Sequence, residues 1–475
     1  MVCFGPFTID PRTWTLTRDN AMVDLSPRLV EILAHLVARE GAVATKDELL
    51  DRFWPDTHVT ENTLTRAIAD IRKALDDSAD QPAFVQTMAR RGYRFIGTLA
   101  RPEVDAVLGG GDPLRHWVEG RLALESLDDT RLVAATRGFE KAVAAMPDYA
   151  PAHAGLANAY LLTFELTRHG NRPDRATIER AVAAARRASA LDASLGEAWA
   201  VLGHALALAG EVEDARVAAR RAATLEPGNW RHQFRLALVT WGEERLRAVD
   251  RTLALVPGCA AAHLLSSMVF IARGAVDLAA HAADAGAALQ DQQPISATLP
   301  AAGLHWVRGL AHVAAGDTSA AALAFDREIH HALPSRVYAR EFALSARLAL
   351  GFLRAHSGDR EAAVRVFGDV LATVPGHARA TLGLTLCGEA AEANVLRAIG
   401  ELEEGGKKMD AALVRAGVVA WRGDASGAAN VLTALLAVAP QGPVGWGLRA
   451  DPLFLPLHGS AAFQGVVSAV AARAA

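Results

Sequence analysis

The stretch that decides the fold is residues 59–75, VTENTLTRAIADIRKAL. Apolar side chains recur in it at the spacing of one helical face, at Val59, Leu64, Ile68, Ile71 and Leu75. Polar or small residues fall on the opposite face, at Asn62, Arg66, Ala69 and Lys73. This pattern predicts an amphipathic helix with Thr60 as its N-cap. The outward face carries an amide and a guanidinium, groups that can bond bidentately to adenine and guanine edges.

The chain is too long for one compact core. With 475 residues, it is expected to form two or more domains or a repeat array. Only 6% of the residues are aromatic, which suits helices that pack closely through small side chains. The formal net charge is −4, and residues 1–100 hold 12 basic residues against 14 acidic ones. Any surface that binds nucleic acid must therefore be local.

The cysteines and the apolar stretches predict a cytoplasmic protein. Cys3, Cys259 and Cys387 are far apart and show no metal-ligand spacing, as is typical of a reduced chain. The N-terminus has neither a basic segment nor a long apolar run, so we expect no signal peptide. Residues 252–272 and 425–448 are uncharged and long enough to span a bilayer, but prolines and glycines interrupt both. We therefore expect no membrane insertion.

Short elements surround the predicted helix on both sides. Before it, residues 1–25 predict three short strands, Ser26-Pro27 opens one helix and Thr45 caps another. After it, residues 84–87 and 93–96 predict a hairpin with Arg90 and Arg91 at its tip. The order of elements is thus strands, three helices and a hairpin.

This order resembles the OmpR/PhoB-type winged helix-turn-helix family, including the N-terminal sheet that distinguishes it from other winged helices. The resemblance covers about the first hundred residues. Its motifs are Leu25-Ser26-Pro27, Leu49-Leu50, Phe53-Trp54-Pro55, the helix at 59–75 with Arg72-Lys73, Val85, Thr87 and Arg91-Gly92-Tyr93-Arg94-Phe95. For residues 1–98 the resemblance implies an α+β winged helix with a preceding β-sheet.

The resemblance also implies where double-stranded DNA would bind, with a recognition helix in the major groove and a wing in the minor groove. The candidates for base contacts are Asn62, Thr63 and Arg66. The candidates for phosphate contacts are Thr65, Arg72 and Lys73. The candidates for the minor groove or its rim are Arg90 and Arg91. Tyr93 is assigned to the core, because hairpin aromatics usually pack inward.

Control of this domain is expected to come from the rest of the chain. The sequence opens directly on the DNA-binding domain, so we expect neither phosphorylation control by a receiver domain nor a membrane anchor. By family resemblance, the loop Pro55–His58 is a candidate contact of RNA polymerase. One such module buries limited surface, so we expect a homodimer on tandem half-sites.

Beyond a predicted flexible linker at residues 99–113, the chain repeats. One unit carries Trp199, Leu202, Gly203, Ala215, Ala222 and Pro227 where the 34-residue tetratricopeptide (TPR) pattern places them. Residues 114–475 resemble an all-α TPR superhelical solenoid of about eight units. The match is poor at residues 376–410.

The register of the repeats places apolar side chains on the concave face of the solenoid. They are Phe234, Trp241, Leu264, Met268, Ile271, Trp306 and Phe352. An exposed apolar surface usually marks binding, which predicts a peptide, small-molecule or protein ligand in this groove. The alternative is that several of these side chains pack between neighbouring helices, and the sequence favours neither.

No catalytic or metal-binding constellation is predicted. His305 and His312 share one predicted helix and His330-His331 follow, but no Cys or carboxylate completes a metal site at ligand spacing. Residues 423–427 miss the nucleophile-elbow spacing by one position, and residues 400–408 fail the spacing of a phosphate-binding loop. We therefore expect no enzyme activity, no metal and no cofactor.

The sequence thus predicts a bacterial one-component transcription regulator. Its winged helix would bind specific double-stranded DNA, and its TPR array would sense an effector or mediate oligomerisation. The alternative is an interaction scaffold whose winged helix no longer binds DNA specifically, which the slightly acidic N-terminal domain favours.

Overall fold

The chain divides into two units, Met1–Asp112 and Pro113–Ala475, in this computed structural model. The structure describes residues 2–10, 15–19, 21–38, 43–54, 61–78, 82–88, 92–97, 99–100, 114–125, 127–292, 301–331 and 337–475. Each unit has its own buried apolar core.

The described residues of the first unit form short strands and three helices. The described strands are β1 Val2–Phe4, β2 Phe7–Asp10, β3 Thr15–Arg18, β4 Ala21–Met22, β5 Ala44–Thr45, β6 Val85–Met88, β7 Gly92–Phe95 and β8 Leu99–Ala100. The helices are α1 Pro27–Ala38, α2 Lys46–Phe53 and α3 Glu61–Ala74. The strands form two antiparallel sheets, in the orders β4-β3-β2-β1-β8 and β5-β7-β6. The predicted winged helix with a preceding β-sheet is confirmed.

Local signals in the sequence agree with the structure at the starts of two helices. Helix α1 begins at Pro27, and Thr45 caps α2 because its Oγ1 accepts a hydrogen bond from Glu48 N at 3.2 Å. The boundaries of other elements change. Residues 1–25 contain a fourth strand, β4, and each hairpin strand lies one residue from its predicted position. Residues 99–100 of the predicted linker form β8, and residues 101–113 lie outside the described part of the chain.

The core of the first unit joins its helices to both sheets. The predicted inner face of α3 is buried at Leu64, Ile68 and Ile71. Phe4 of the N-terminal sheet packs edge-on against Phe84 and Phe95, with ring centroids 5.5 and 5.0 Å apart. The N-terminal sheet therefore supports the β6–β7 hairpin directly.

The second unit is an array of helical pairs followed by a final short segment. The described pairs are α4 Leu114–Glu125 with α5 Asp129–Ala145, α6 Ala150–Glu165 with α7 Arg175–Leu191, α8 Gly196–Ala209 with α9 Val212–Leu225, α10 Trp230–Val239 with α11 Gly242–Leu255, α12 Ala260–Arg273 with α13 Val276–Gln292, α14 Leu304–Ala314 with α15 Thr318–His331, α16 Val337–His356 with α17 Arg360–Thr373, α18 Ala378–Leu386 with α19 Glu392–Glu404, and α20 Lys408–Trp421 with α21 Ala425–Val438. A 3₁₀ helix, Pro452–Leu457, and α22, Ala461–Arg473, follow.

This architecture confirms the predicted all-α solenoid and adds one unit to it. The sequence pattern predicts about eight units and matches poorly at residues 376–410. Helices α18 and α19 form a pair within that stretch, so the described residues contain nine pairs. The pair forms because Val395, Ile399 and Leu402 still bury one face of α19.

Glycine and phenylalanine residues of the repeats pack against each other within a pair. A Cβ at Gly309 of α14 would lie 2.4 Å from the ring of Phe325 on α15. A Cβ at Gly351 of α16 would lie 2.6 Å from the ring of Phe367 on α17. Real Cβ atoms do not approach so closely in a packed interior. The aromatic side chain of the second helix therefore requires glycine on the first.

The array closes on itself, because loops of its first two pairs contact its later pairs. Val337 N donates a hydrogen bond to Leu127 O at 3.1 Å, which joins the seventh pair to the first. Asn171 Nδ2 donates to Gly376 O at 2.8 Å, which joins the loop of the second pair to the loop before the eighth. The inner face of the array is therefore not an uninterrupted open groove.

The two uncharged stretches of the sequence belong to this array. Residues 252–272 cover the end of α11 and most of α12, and residues 425–448 contain α21 and the turn after it. Among the described residues, no helix has both the length and the apolar character needed to cross a bilayer.

A buried histidine gives the array a specific pH dependence. His204 of α8 is 8% exposed, and its Nε2 lies 3.7 Å from Glu165 Oε1. Burial, together with the nearby Arg235 and Arg168 cations, lowers the pKa of His204 from 6.5 to about 3. This pKa is lower in the folded than in the unfolded chain. The stability that the fold gains from keeping His204 neutral is therefore present above pH 6.5 and is lost as the pH falls.

We expect His204 to reduce the free energy of unfolding by about 2 kcal/mol between pH 7.5 and pH 5. Burial also raises the pKa of Glu165 to about 7, which stabilises the fold as the pH falls below 7 and so opposes this effect. The His204→Gln variant separates the two groups, since it should lose about 2 kcal/mol less than the wild type over this range. Denaturant unfolding at each pH measures the difference, and equal losses in both proteins would contradict the assignment.

Candidate nucleic-acid interface

Helix α3 presents a polar face to solvent, as its sequence pattern predicts. Four of the predicted DNA-contacting side chains are exposed on it, Asn62, Thr65, Arg66 and Lys73. Thr63 is partly exposed, and Asp70 adds one exposed carboxylate. The face therefore offers amide, hydroxyl and cationic groups to a ligand while the opposite face remains in the core.

Arg72 connects α3 to the hairpin in addition to its predicted phosphate contact. Its Nε and Nη2 donate to Val85 O at 3.1 and 2.6 Å, and Nη2 also donates to Thr87 Oγ1 at 2.9 Å. These acceptors lie 13 and 15 residues later in the chain. The position of Arg72 in the helical pattern does not predict these hydrogen bonds, because they form only when the hairpin packs against α3.

Asp77, which follows α3, fixes the start of β6. Its Oδ1 accepts hydrogen bonds from Ser78 N and Ala83 N at 2.9 and 2.6 Å. Its Oδ2 accepts from Phe84 N and Val85 N at 3.1 and 2.7 Å. A carboxylate that accepts backbone N–H groups forms strong, charge-assisted bonds. Asp77 is not among the predicted site residues, although an aspartate just after a helix is a recognised signal for a turn.

The hairpin is joined to the rest of the first unit through Gly92. Strand β7 pairs with β5, where Gly92 lies opposite Thr45. Gly92 has a φ of 152°, and a Cβ at this position would lie 1.9 Å from Ala44 O. Glycine is therefore required for the strands to approach each other. The neighbouring Tyr93 is buried, which confirms its assignment to the core.

Two further side chains lie on the hairpin strands and were not singled out as site residues. Arg94 Nε donates to Gln86 Oε1 at 2.7 Å, and both side chains are partly buried. The predicted groove arginines, Arg90 and Arg91, lie outside the described residues, as does the loop Pro55–His58.

The predicted apolar groove of the array is largely filled by packing. Four of its seven residues are buried, Trp241, Leu264, Ile271 and Phe352. For example, the Phe352 ring packs against Phe367 with centroids 5.0 Å apart. These four side chains therefore follow the second possibility given by the sequence, in which the side chains pack between neighbouring helices and do not face water. The three that are partly exposed are Phe234, Met268 and Trp306.

Trp306 lines a cavity of about 220 Å³ on the inner face of α14, α16, α18 and α20. The C-terminal segment 445–452 forms its other wall. Trp446 packs edge-on against Trp306, with centroids 5.9 Å apart, and Arg379 Nη2 donates to both carboxylate oxygens of Asp451 at 2.7 and 2.8 Å. The chain's own C-terminal segment thus covers this part of the inner face.

Replacing Gly92 by alanine is expected to separate β5 from β7 and to destabilise the hairpin by about 3 kcal/mol, because the added methyl group overlaps Ala44 O. Amide hydrogen exchange over residues 84–97 of the full chain measures this loss of protection. Gly368→Ala in α17 is the matched control, since a Cβ there meets nothing within 4 Å. Unchanged exchange in the Gly92 variant would contradict the close approach.

Comparison with known proteins assigns residues 20–95 of the first unit to a family. Residues 20–95 match the family described as "Transcriptional regulatory protein, C terminal". The chain is 31% identical over 97 residues to the transcriptional activator CadC of Escherichia coli (strain K12), covering 20% of this chain and 19% of CadC. It is 37% identical over 100 residues to the cholera toxin homolog transcriptional activator of Vibrio parahaemolyticus, covering 20% of this chain and 34% of that protein. The chain thus matches from about a fifth to about a third of the length of these relatives.

The second unit is similar to the solved structure of a tetratricopeptide repeat protein from Parabacteroides merdae. The identity is 13% and the TM-score is 0.41, over 58% of this chain and 99% of that one.

The family match agrees with the order of elements in the first unit and with the two faces of α3. It also covers β5, β6 and β7, the three strands of the hairpin sheet. Residues 20–95 therefore form an OmpR/PhoB-type winged helix of the transcriptional regulatory protein C-terminal family.

Proposed function

We propose that this protein is a transcription regulator that binds specific double-stranded DNA through α3 and the hairpin. The observation that supports this most directly is the exposed polar face of α3. The opposite face of this helix is buried in the core, and its C-terminal end is bonded to the hairpin. Arg72 and Asp77 bond the hairpin to that end of α3. Base recognition needs such rigid support, because a side chain displaced by about 1 Å no longer makes its bond.

Within this proposal the side chains of α3 have different roles. Asn62, Thr63 and Arg66 contact base edges in the major groove, where an amide and a guanidinium discriminate adenine and guanine. Thr65 and Lys73 hold phosphates. Arg72 positions the hairpin through its bonds to Val85 and Thr87, and Arg90 and Arg91 contact the minor groove or its rim.

We further propose that the TPR array regulates this binding by sensing an effector or by mediating oligomerisation. A homodimer on tandem half-sites supplies the surface that one module lacks. RNA polymerase is proposed as a contact of the loop Pro55–His58. Support for a sensing role comes from the cavity beside Trp306, which the C-terminal segment covers through Trp446 and Asp451.

The Arg66→Ala variant is expected to bind its specific sites about 10- to 100-fold more weakly, because one bidentate base contact contributes about 1–3 kcal/mol of discrimination. Genome-wide footprinting of the wild type beside the variant measures this. Arg28→Ala is the matched control, since it removes an exposed guanidinium from α1, where it stacks over Trp54 at 6.0 Å. The absence of discrete wild-type sites would favour the alternative, an interaction scaffold.

Lys73→Ala tests the phosphate assignment separately. Because a phosphate contact carries no sequence information, the variant should weaken specific and non-specific binding by similar factors. The slope of log affinity against log salt concentration should fall by about 1. Binding titrations at several salt concentrations measure both quantities. A loss confined to the specific site would instead show that Lys73 reads a base.

A further inference from the structure

Three potential metal ligands converge where the fifth and sixth helical pairs meet. Asp291 lies at the end of α13, His305 near the start of α14 and His331 at the end of α15. Their ligand atoms all lie within 4.8 Å of one another. The Nε2 atoms of His305 and His331 lie 2.8 and 3.6 Å from the same oxygen, Asp291 Oδ1.

This cluster supplies a carboxylate that the sequence pattern does not place near the histidines. By sequence, His305 and His312 share one predicted helix and His330-His331 follow, but no Cys or carboxylate completes a metal site at ligand spacing. Asp291 precedes His305 by 14 positions and belongs to the previous pair. Only the packing of α13 against the sixth pair brings its side chain to the imidazoles.

The distances from Asp291 Oδ1 to the two imidazole nitrogens suit a small divalent ion. Zinc binds imidazole nitrogen at about 2.0–2.1 Å and carboxylate oxygen at about 2.0–2.2 Å, usually in a tetrahedron, so neighbouring ligand atoms lie roughly 3.3 Å apart. The distance from His331 Nε2 to Asp291 Oδ1 is close to this value at 3.6 Å. His305 Nε2 is nearer to Asp291 Oδ1, at 2.8 Å, because a hydrogen bond joins the two atoms.

The groups around the cluster orient its ligands. Arg327 Nη2 bonds the other carboxylate oxygen, Asp291 Oδ2, at 2.7 Å, so Oδ1 is the oxygen that faces both imidazoles. The buried carboxylate of Glu328 accepts hydrogen bonds from the backbone N–H groups of His305 and Trp306 at 3.1 and 3.3 Å, which fixes the start of α14. Outer partners of this kind hold metal ligands in place and tune their affinity.

The cluster combines one buried ligand with two partly exposed ones. The His305 side chain is completely buried, whereas His331 and Asp291 are 39% and 29% exposed. An ion can therefore reach the cluster from solvent at His331 and be held against the protein by His305. Three protein ligands leave a position for water, as in open zinc sites.

We propose that Asp291, His305 and His331 form a binding site for a divalent transition metal, and that Zn²⁺ is the ion that fits it best. The metal takes the place of the proton between His305 and Asp291. Binding therefore breaks the N–H bond at His305 Nε2 and moves the proton to Nδ1 of the same ring, while new bonds form from Nε2, from Asp291 Oδ1 and from His331 to the ion. The site connects the fifth pair to the sixth.

Titration of the full-length protein with Zn²⁺ by calorimetry tests the site, and Co²⁺ absorption in the visible range reports a tetrahedral environment. We expect one ion per chain, because the three ligands surround one position. The His331→Ala variant should bind about 100-fold more weakly, an effect at least as large as the loss of an outer-shell partner. Asp291→Asn, which preserves the shape of the side chain, should weaken binding similarly.

His330→Ala is the control, because the chain contains 16 histidines that could bind zinc non-specifically. His330 precedes His331, is 72% exposed and pairs with Asp326, away from the cluster. The His330→Ala variant should bind Zn²⁺ with the same affinity and stoichiometry as the wild type. Equal affinities for the wild type, His331→Ala and Asp291→Asn, or no stoichiometric binding by a folded wild type, would overturn the proposal. DNA binding by the first unit is measured separately, so either result leaves the test of Arg66 unaffected.

Discussion

The hairpin is tied to α3 at Val85, whose two backbone polar groups are both bonded by side chains at or just after the end of α3. Asp77 accepts its N–H at 2.7 Å, and Arg72 donates to its carbonyl oxygen at 2.6 Å. A carboxylate and a guanidinium therefore hold the strand from opposite sides. Because both bonds involve charged groups, they are stronger than ordinary backbone bonds and leave β6 little freedom to change its angle.

Such support is needed because the hairpin is small. Its strands have four residues each, and a two-stranded hairpin of this size is at best marginally stable alone. Strand β5 adds a third strand through the close approach at Gly92, and the Phe4 ring packs beneath Phe84 and Phe95. The family match begins at residue 20, yet part of the apolar support for the hairpin comes from β1, before that boundary. The N-terminal sheet is therefore part of the structure that positions the candidate interface.

The features that the sequence predicted are those with local causes. The two faces of α3, the start of α1 at Pro27 and the cap at Thr45 each follow from residues within a few positions of one another. The features it missed join distant residues. Arg72 bonds residues 13 and 15 positions away, and Trp446, which follows the ninth helical pair, packs against Trp306 of the sixth. Periodicity contains no information about such contacts, since they are set by the path of the chain.

The same distinction explains why the predicted apolar groove became a packed interior. The repeat register could not show that the array closes on itself, nor that its C-terminal segment packs beside α14, α16, α18 and α20. Apolar side chains there already have partners, such as Trp446 on Trp306. A ligand larger than the cavity beside Trp306 must replace contacts that the chain makes with itself. The measured affinity of such a ligand then equals its intrinsic affinity multiplied by the fraction of molecules in which those contacts are open. Apolar character alone therefore does not predict how strongly such a ligand binds, because the C-terminal segment already packs on this face.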